Sequence, residues 1–258
     1  MADLLISTLT QGLIYALISF GVYITYSILD FPDLGVDGTF PLGAAVTAVL
    51  LTRGVSPMAT LAAAMAAGAL AGLFTGVVHV CLKVRNLLAG IITMTALFSI
   101  NLQIAGSNLT VDRSVETIFT AAWAESALGG LNLMERKLVI SLVLVIVVKL
   151  VLDLYFKTKS GLLLRAVGDN ADLVTTLAKD RGAVKIFGLM LSNALVALAG
   201  SVVCHEQRSF SATMGTGQLV YGLAAVIIGV SAFRWYENSG AARRLREVKG
   251  LRFLALPR

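Results

Sequence analysis

Residues 138–156, LVISLVLVIVVKLVLDLYF, run directly into residues 157–170, KTKSGLLLRAVGDN. The first stretch is long and apolar enough to cross a bilayer core, which takes about 20 residues of helix. The second opens a charged, soluble-looking segment that ends Ala178-Lys-Asp-Arg181-Gly182, where another apolar run begins. A chain that only has to turn round between two spans uses a few residues. This one keeps about two dozen, with a helix-like middle, and so offers a grip to a partner in the cytoplasm.

Working outward, the same alternation recurs along all 258 residues, of which 57% are apolar and 14% charged. Mean hydropathy is +0.84. A soluble domain carries about 25% charged residues, so a soluble fold is excluded. The first apolar run, from Leu4 to Leu29, is too long for a secretory signal and lacks a basic leading region and a cleavage site. It is read as a retained span. Seven candidate spans lie near 4–29, 36–52, 57–82, 87–106, 138–156, 186–204 and 217–233. The second is short and contains Pro41 and Gly43, which predicts a broken or tilted helix. No segment alternates in the manner of a membrane barrel strand, so the predicted fold is all-α, a polytopic helical bundle.

Basic residues set the orientation. If 157–185 is cytoplasmic, so are 83–86 and the C-terminal tail, and that side holds 15 Lys and Arg against 5 on the other. The N-terminus is then outside. Cys81 and Cys204 fall at opposite faces, which excludes a disulfide between them and leaves them as packing residues. In segment 57–82, Ala64, Gly68, Gly72 and Gly76 recur every four residues, the small-residue stripe that lets another helix approach closely in lipid. The long external loop 107–137 is a candidate docking surface for an external partner. Composition changes abruptly at 231. Residues 231–258 carry seven basic and two acidic side chains, an atypical tail suited to anionic membrane lipid.

No catalytic motif is present. The chain lacks a phosphate-binding loop, a nucleophile elbow and a zinc-protease helix. His205-Glu206 reads as an interfacial polar pair. Mid-span ionisable groups, which mark proton or ion pathways, are nearly absent; Lys149 is placed to snorkel toward the cytoplasm. One polar cluster stands out, Asp30-Phe-Pro-Asp33-Leu-Gly-Val-Asp37-Gly-Thr39-Phe-Pro41. It fits a tight turn in which Asp37 or Thr39 caps the next span. The other reading is an interrupted helix in which Asp30, Asp33, Asp37 and Thr39 line the path of a solute, since non-helical backbone at membrane depth must face protein or water.

The stretches Gln11-Gly-Leu-Ile-Tyr-Ala-Leu-Ile and Tyr26-Ser-Ile-Leu-Asp-Phe-Pro-Asp-Leu resemble the opening of permeases of bacterial ATP-binding-cassette (ABC) importers, in the family of the branched-chain amino acid and ribose permeases. Ser160-Gly-Leu-Leu-Leu-Arg-Ala-Val-Gly-Asp-Asn170 resembles that family's coupling segment, and Gly222-Leu-Ala-Ala-Val-Ile-Ile-Gly229 its next span. The resemblance covers roughly residues 8–230, and residues 1–230 are taken as the transmembrane permease domain, with 157–185 as its cytoplasmic coupling loop. It implies a multi-pass subunit of the bacterial inner membrane that carries a small polar solute, of amino-acid type. It implies two cytoplasmic ATPase subunits, a second permease subunit (identical or related) and an external solute-binding protein as partners; nucleic acid is not among them. ATP and magnesium would be held by the ATPase, and this chain would be a transport subunit without enzymatic activity of its own. Gly161, Arg165, Ala166, Gly168, Asp169 and Asn170 would form the coupling segment. In it Arg165 would pair with an acidic groove residue of the ATPase, the glycines would permit close backbone approach, and Asp169 or Asn170 would cap a short helix. Where the family continues with more spans, residues 233–244 depart from its pattern, and the last one or two helices are expected to be missing. A standalone carrier or channel, or an inactive truncated permease, are the alternatives.

Overall fold

The computed structural model describes residues 1–130, 132–169 and 180–238. Asn170 and residues 239–258 of the basic tail lie outside them. The described chain is a helical bundle, with helices at every predicted span. Helix α1 (Ala2–Val22) continues as a π-helical stretch, Tyr23–Ile28. It is followed by α2 (Val36–Thr52), α3 (Pro57–Val80) and α4 (Asn86–Ala105). After the outer loop come α6 (Leu133–Phe156), α7 (Lys159–Asp169), α8 (Arg181–Gln207) and α9 (Gln218–Asn238).

Five helices among the described residues are long and apolar enough to cross a membrane: α1 with its π-helical extension, α3, α4, α6 and α8. The other two apolar helices, Val36–Thr52 and Gln218–Phe233, are shorter. Of the expected seven, five are therefore long and apolar enough to span; α2 is shorter, and α9 is apolar only over its first part. The link 29–35 turns within the protein before α2 begins, and 212–217 forms a run of turns before α9 begins. A second departure lies in the outer loop. There β1 (Asn108–Thr110) pairs antiparallel with β2 (Ser209–Ser211), and α5 (Ala122–Leu128) follows, so the all-α reading misses a small ribbon. Arg208 anchors that loop, donating from its guanidinium to the carbonyls of Asp112 and Val115. In the same loop the backbone N–H and hydroxyl of Ser114 hold the Asp112 carboxyl below the usual carboxylate range.

Local chemistry fixes the helix starts. Asn132 and Glu135 form a capping box that starts α6 five residues before the apolar run does. Asp180 Oδ1 accepts from Gly182 N at 2.8 Å and starts α8. Helix α8 is the centre of the bundle, buried almost continuously from Gly188 to His205. Helix α6 lies at the rim and turns Leu142, Val143, Ile146, Val147, Leu150 and Val151 outward, as a lipid-facing helix must.

The stripe on α3 finds its partner within this chain. Ala64, Gly68, Gly72 and Gly76 are all buried. A Cβ at Gly68 would collide with the Asn193 carbonyl, one at Gly72 with the Leu189 carbonyl, and one at Gly76 would lie 3.0 Å from Ile186 Cα. Only glycine lets α3 and α8 pack backbone to backbone.

Candidate functional site

The polar cluster of the first link divides into three environments. The backbone leaves the π-helical stretch through Asp30, exposed and at φ 50°, a left-handed conformation that Asp tolerates. Asp30 therefore stands apart from the buried groups. Asp33 is fully buried. Its Oδ1 accepts from Gly35 N at 2.8 Å and its Oδ2 from Asn193 Nδ2 at 2.9 Å. Thr39 Oγ1 lies 2.7 Å from Asn193 Oδ1. Asn193 thus joins the start of α2 to the middle of α8. Sequence reasoning passed over it, although Ser192-Asn193 is the polar interruption of an otherwise apolar span.

Asp37 acts elsewhere. Neither it nor Thr39 caps α2, whose N-cap is Gly35 with no side-chain bond; the inter-helix turn is present, but the capping role expected of these two residues is corrected. Instead the Asp37 carboxylate reaches across to α9, accepting from Leu219 N at 2.8 Å and Gly217 N at 3.1 Å. A carboxylate at a helix N-terminus satisfies orphan donors and complements the macrodipole. Pro41 has no N–H for the Asp37 carbonyl, and Gly215 packs against that carbonyl. Beside this cap lies a cavity of about 300 Å³, lined by Asp37, Gly38, Pro41, Met94, Thr95, Phe98, Asn101, Ala212 and Thr216.

The expected coupling segment forms α7. Gly161, Leu164 and Val167 face inward, while Leu162 and Arg165 are exposed and Ala166 is half-buried between the two faces. The two glycines serve this chain's own packing. A Cβ at Gly161 would strike the Tyr155 carbonyl, and one at Gly168 the Ile28 carbonyl at the end of the π-helical stretch. The close approach expected toward a partner is thus made internally. Asp169 is the last residue of α7; Asn170, expected as a cap, lies outside the described residues. The Arg165 guanidinium sits 4.9 Å from the centroid of the Phe156 ring, a cation–π contact that holds it at the surface. With Lys149 and Asp153, which pair at 2.7 Å, it borders a cavity of about 380 Å³ between α1, α6 and α9.

The polar pair His205-Glu206 divides between two structural contacts. His205 Nε2 lies 2.9 Å from Thr60 Oγ1, and Glu206 takes Lys137 at 3.0 Å, so these neighbours serve different partners. Cys81 is free and exposed, Cys204 free and buried.

These features match a known group. A model of the family described as "Branched-chain amino acid transport system / permease component" matches residues 4–239, and the chain belongs to that family of ABC importer permease subunits. It is 40% identical over 230 residues to the "Tyrosine transport system permease protein" of Clostridioides difficile, covering 89% of this chain and 74% of that protein. It is 33% identical over 246 residues to an uncharacterized protein of Rickettsia prowazekii, covering 95% and 83%. It is 28% identical over 219 residues to the "Probable branched-chain amino acid transport permease protein LivH" of Methanocaldococcus jannaschii, covering 83% and 69%. No solved structure matches.

Proposed function

We propose that this chain is a membrane-spanning permease subunit of an ABC importer in the bacterial inner membrane. It pairs with a second permease subunit, takes an amino-acid-type solute from an external binding protein, and is driven by two cytoplasmic ATPase subunits that bind ATP and magnesium. The name of the tyrosine relative favours an amino acid as solute. The observation that carries the reading is α7. It exposes Leu162 and Arg165 while its inner face is seated on the end of the π-helical stretch and on α8, and the charge bias of the sequence favours a cytoplasmic position for that exposed face.

The mechanism follows from that seat. Gly168 rests on the Ile28 carbonyl, and Leu164 and Leu29 converge on Gly188 of α8. A push on the outer face of α7 by the closing ATPases is delivered to residues 28–35. This link leads to Asp33, and Asp33 is bonded to Asn193 five residues beyond Gly188. The link continues directly into α2, whose first turn carries Asp37, the cap of α9. A rigid-body shift of a few ångströms at α7 therefore reaches both short helices, the rocking type of transition. The test is Arg165→Glu. Co-purification of the ATPase with the full chain and ATP-dependent uptake are both expected to fall about tenfold, as for loss of a charged anchor at an interface. Unchanged association and uptake would remove α7 from the docking role.

A further inference from the structure

We infer that the cavity beside the α9 N-terminus is a binding site for the ammonium group of the solute. This rests on the reading of the chain as the permease of an amino-acid-type solute and adds which end of that solute the protein holds, and where.

The first observation is an unsatisfied atom. Asn101 is fully buried and lines the cavity. Its Nδ2 donates to the Gly38 carbonyl at 3.1 Å, which fixes the orientation of the amide. Its Oδ1 then has no hydrogen-bond partner among the described residues. A buried acceptor left bare is unfavourable, so the site calls for a donor.

The second observation is the charge at the cavity. Asp37 is the one charged residue of the lining. Its two bonds to α9 occupy half of a carboxylate's roughly four acceptor positions. The helix end cancels about half a charge, which leaves about half a negative charge facing the cavity. Anions are excluded on the same geometry, because the first N–H groups of α9 are already taken. Gln218 N goes to Gly215 O, Leu219 N to Asp37, and Val220 N and Tyr221 N to Gly217 O. A carboxylate would find no free backbone N–H in the first turn of this helix. A primary ammonium finds Asn101 Oδ1 and the open side of the Asp37 carboxylate. The apolar part of the solute finds Met94, Phe98 and Pro41. About 300 Å³ is at the small end of small-molecule sites, which suits a single amino acid.

The test uses the full chain in lipid nanodiscs, with thermal unfolding read against increasing concentrations of L-tyrosine, tyramine and 3-(4-hydroxyphenyl)propionate. Tyrosine and tyramine are expected to raise the unfolding temperature. The propionate, which lacks the amine, is expected to leave it unchanged. Asn101→Leu is expected to raise the apparent Kd for tyramine about tenfold. Equal protection by the amine and the propionate, protection by none of the three, or an Asn101→Leu protein that binds tyramine like the wild type each overturns the site. The wild-type comparison decides the matter alone should the variant fail to fold. ATP-driven uptake by the assembled wild-type complex separates the two readings. Uptake with a cavity blind to the amine removes only the site, and amine binding without uptake removes only the importer reading.

Discussion

Asn193 answers a problem that Asp33 creates. A carboxylate with no exposure must keep its hydrogen bonds or give up its charge, and one of its two bonds comes from the Asn193 amide. Asn193→Leu strips that donor and also the acceptor of Thr39. It should destabilise the fold by about 3 kcal/mol. Replacing both Asp33 and Asn193 by Leu should restore part of this, since removing both partners costs less than orphaning one. Urea unfolding in detergent, followed by labelling of the buried Cys204, reads the cycle; additive losses would mean that the pair is not coupled. Asp37→Ala should cost about 1–2 kcal/mol through the lost cap on α9, visible as a lower unfolding temperature of the purified chain. Asp33 and Asp37 were legible in the sequence as a group, but their division was not. Spacing along one strand of chain cannot say that Asp33 will meet α8 while Asp37, four residues on, meets α9. That depends on how 29–35 turns, and its left-handed residue is an Asp, where the sequence carries no glycine signal.

At the scale of elements, glycine placement separates two ways of damaging α7. Arg165 is on the exposed face and Gly168 on the seat. Arg165→Glu strikes the docking face. Gly168→Val leaves that face intact and forces α7 away from the Ile28 carbonyl, because its Cβ would occupy the carbonyl's place. The expected outcome for Gly168→Val is an ATPase that still co-purifies but no longer drives uptake. Equal loss of both would show that α7 acts as a docking patch alone. Helix existence was easy to read, because 20-residue apolar runs have few other folds available. The short helices were harder. Helix α2 begins where Asp33 and Gly35 close a turn, and α9 begins where a residue about 180 positions earlier caps it. The ribbon β1–β2 joins two strands about 100 residues apart through three residue pairs, too short for alternation to register. The glycine stripe of α3 was plain at its four-residue spacing. That α8 is its partner follows only from the packing.

For the whole molecule, every functional statement depends on which face is cytoplasmic, and one thiol reads that directly. Cys81 is exposed just past the end of α3, near Lys83 and Arg85, on the face that the charge bias of the sequence predicts to be cytoplasmic. Cys204 is buried near the far end of α8, on the opposite face. The native chain therefore already contains one reporter and one silent control. A membrane-impermeant maleimide should label one site in inside-out vesicles and none in right-side-out vesicles until the protein is denatured. The argument then extends from a thiol to the bundle. Helices α3 and α8 are locked by Gly68 and Gly72, so the side of Cys81 at the end of α3 fixes the side of the α8 start and of α7 before it. Labelling in right-side-out vesicles would place α7 outside the cell, where no ATP-driven partner could reach Arg165, and the importer reading would fail at its first step. Labelling only from the inside places Leu162 and Arg165 in the cytoplasm. It also puts the ribbon β1–β2 on the outer side, where the proposed function expects the external binding protein.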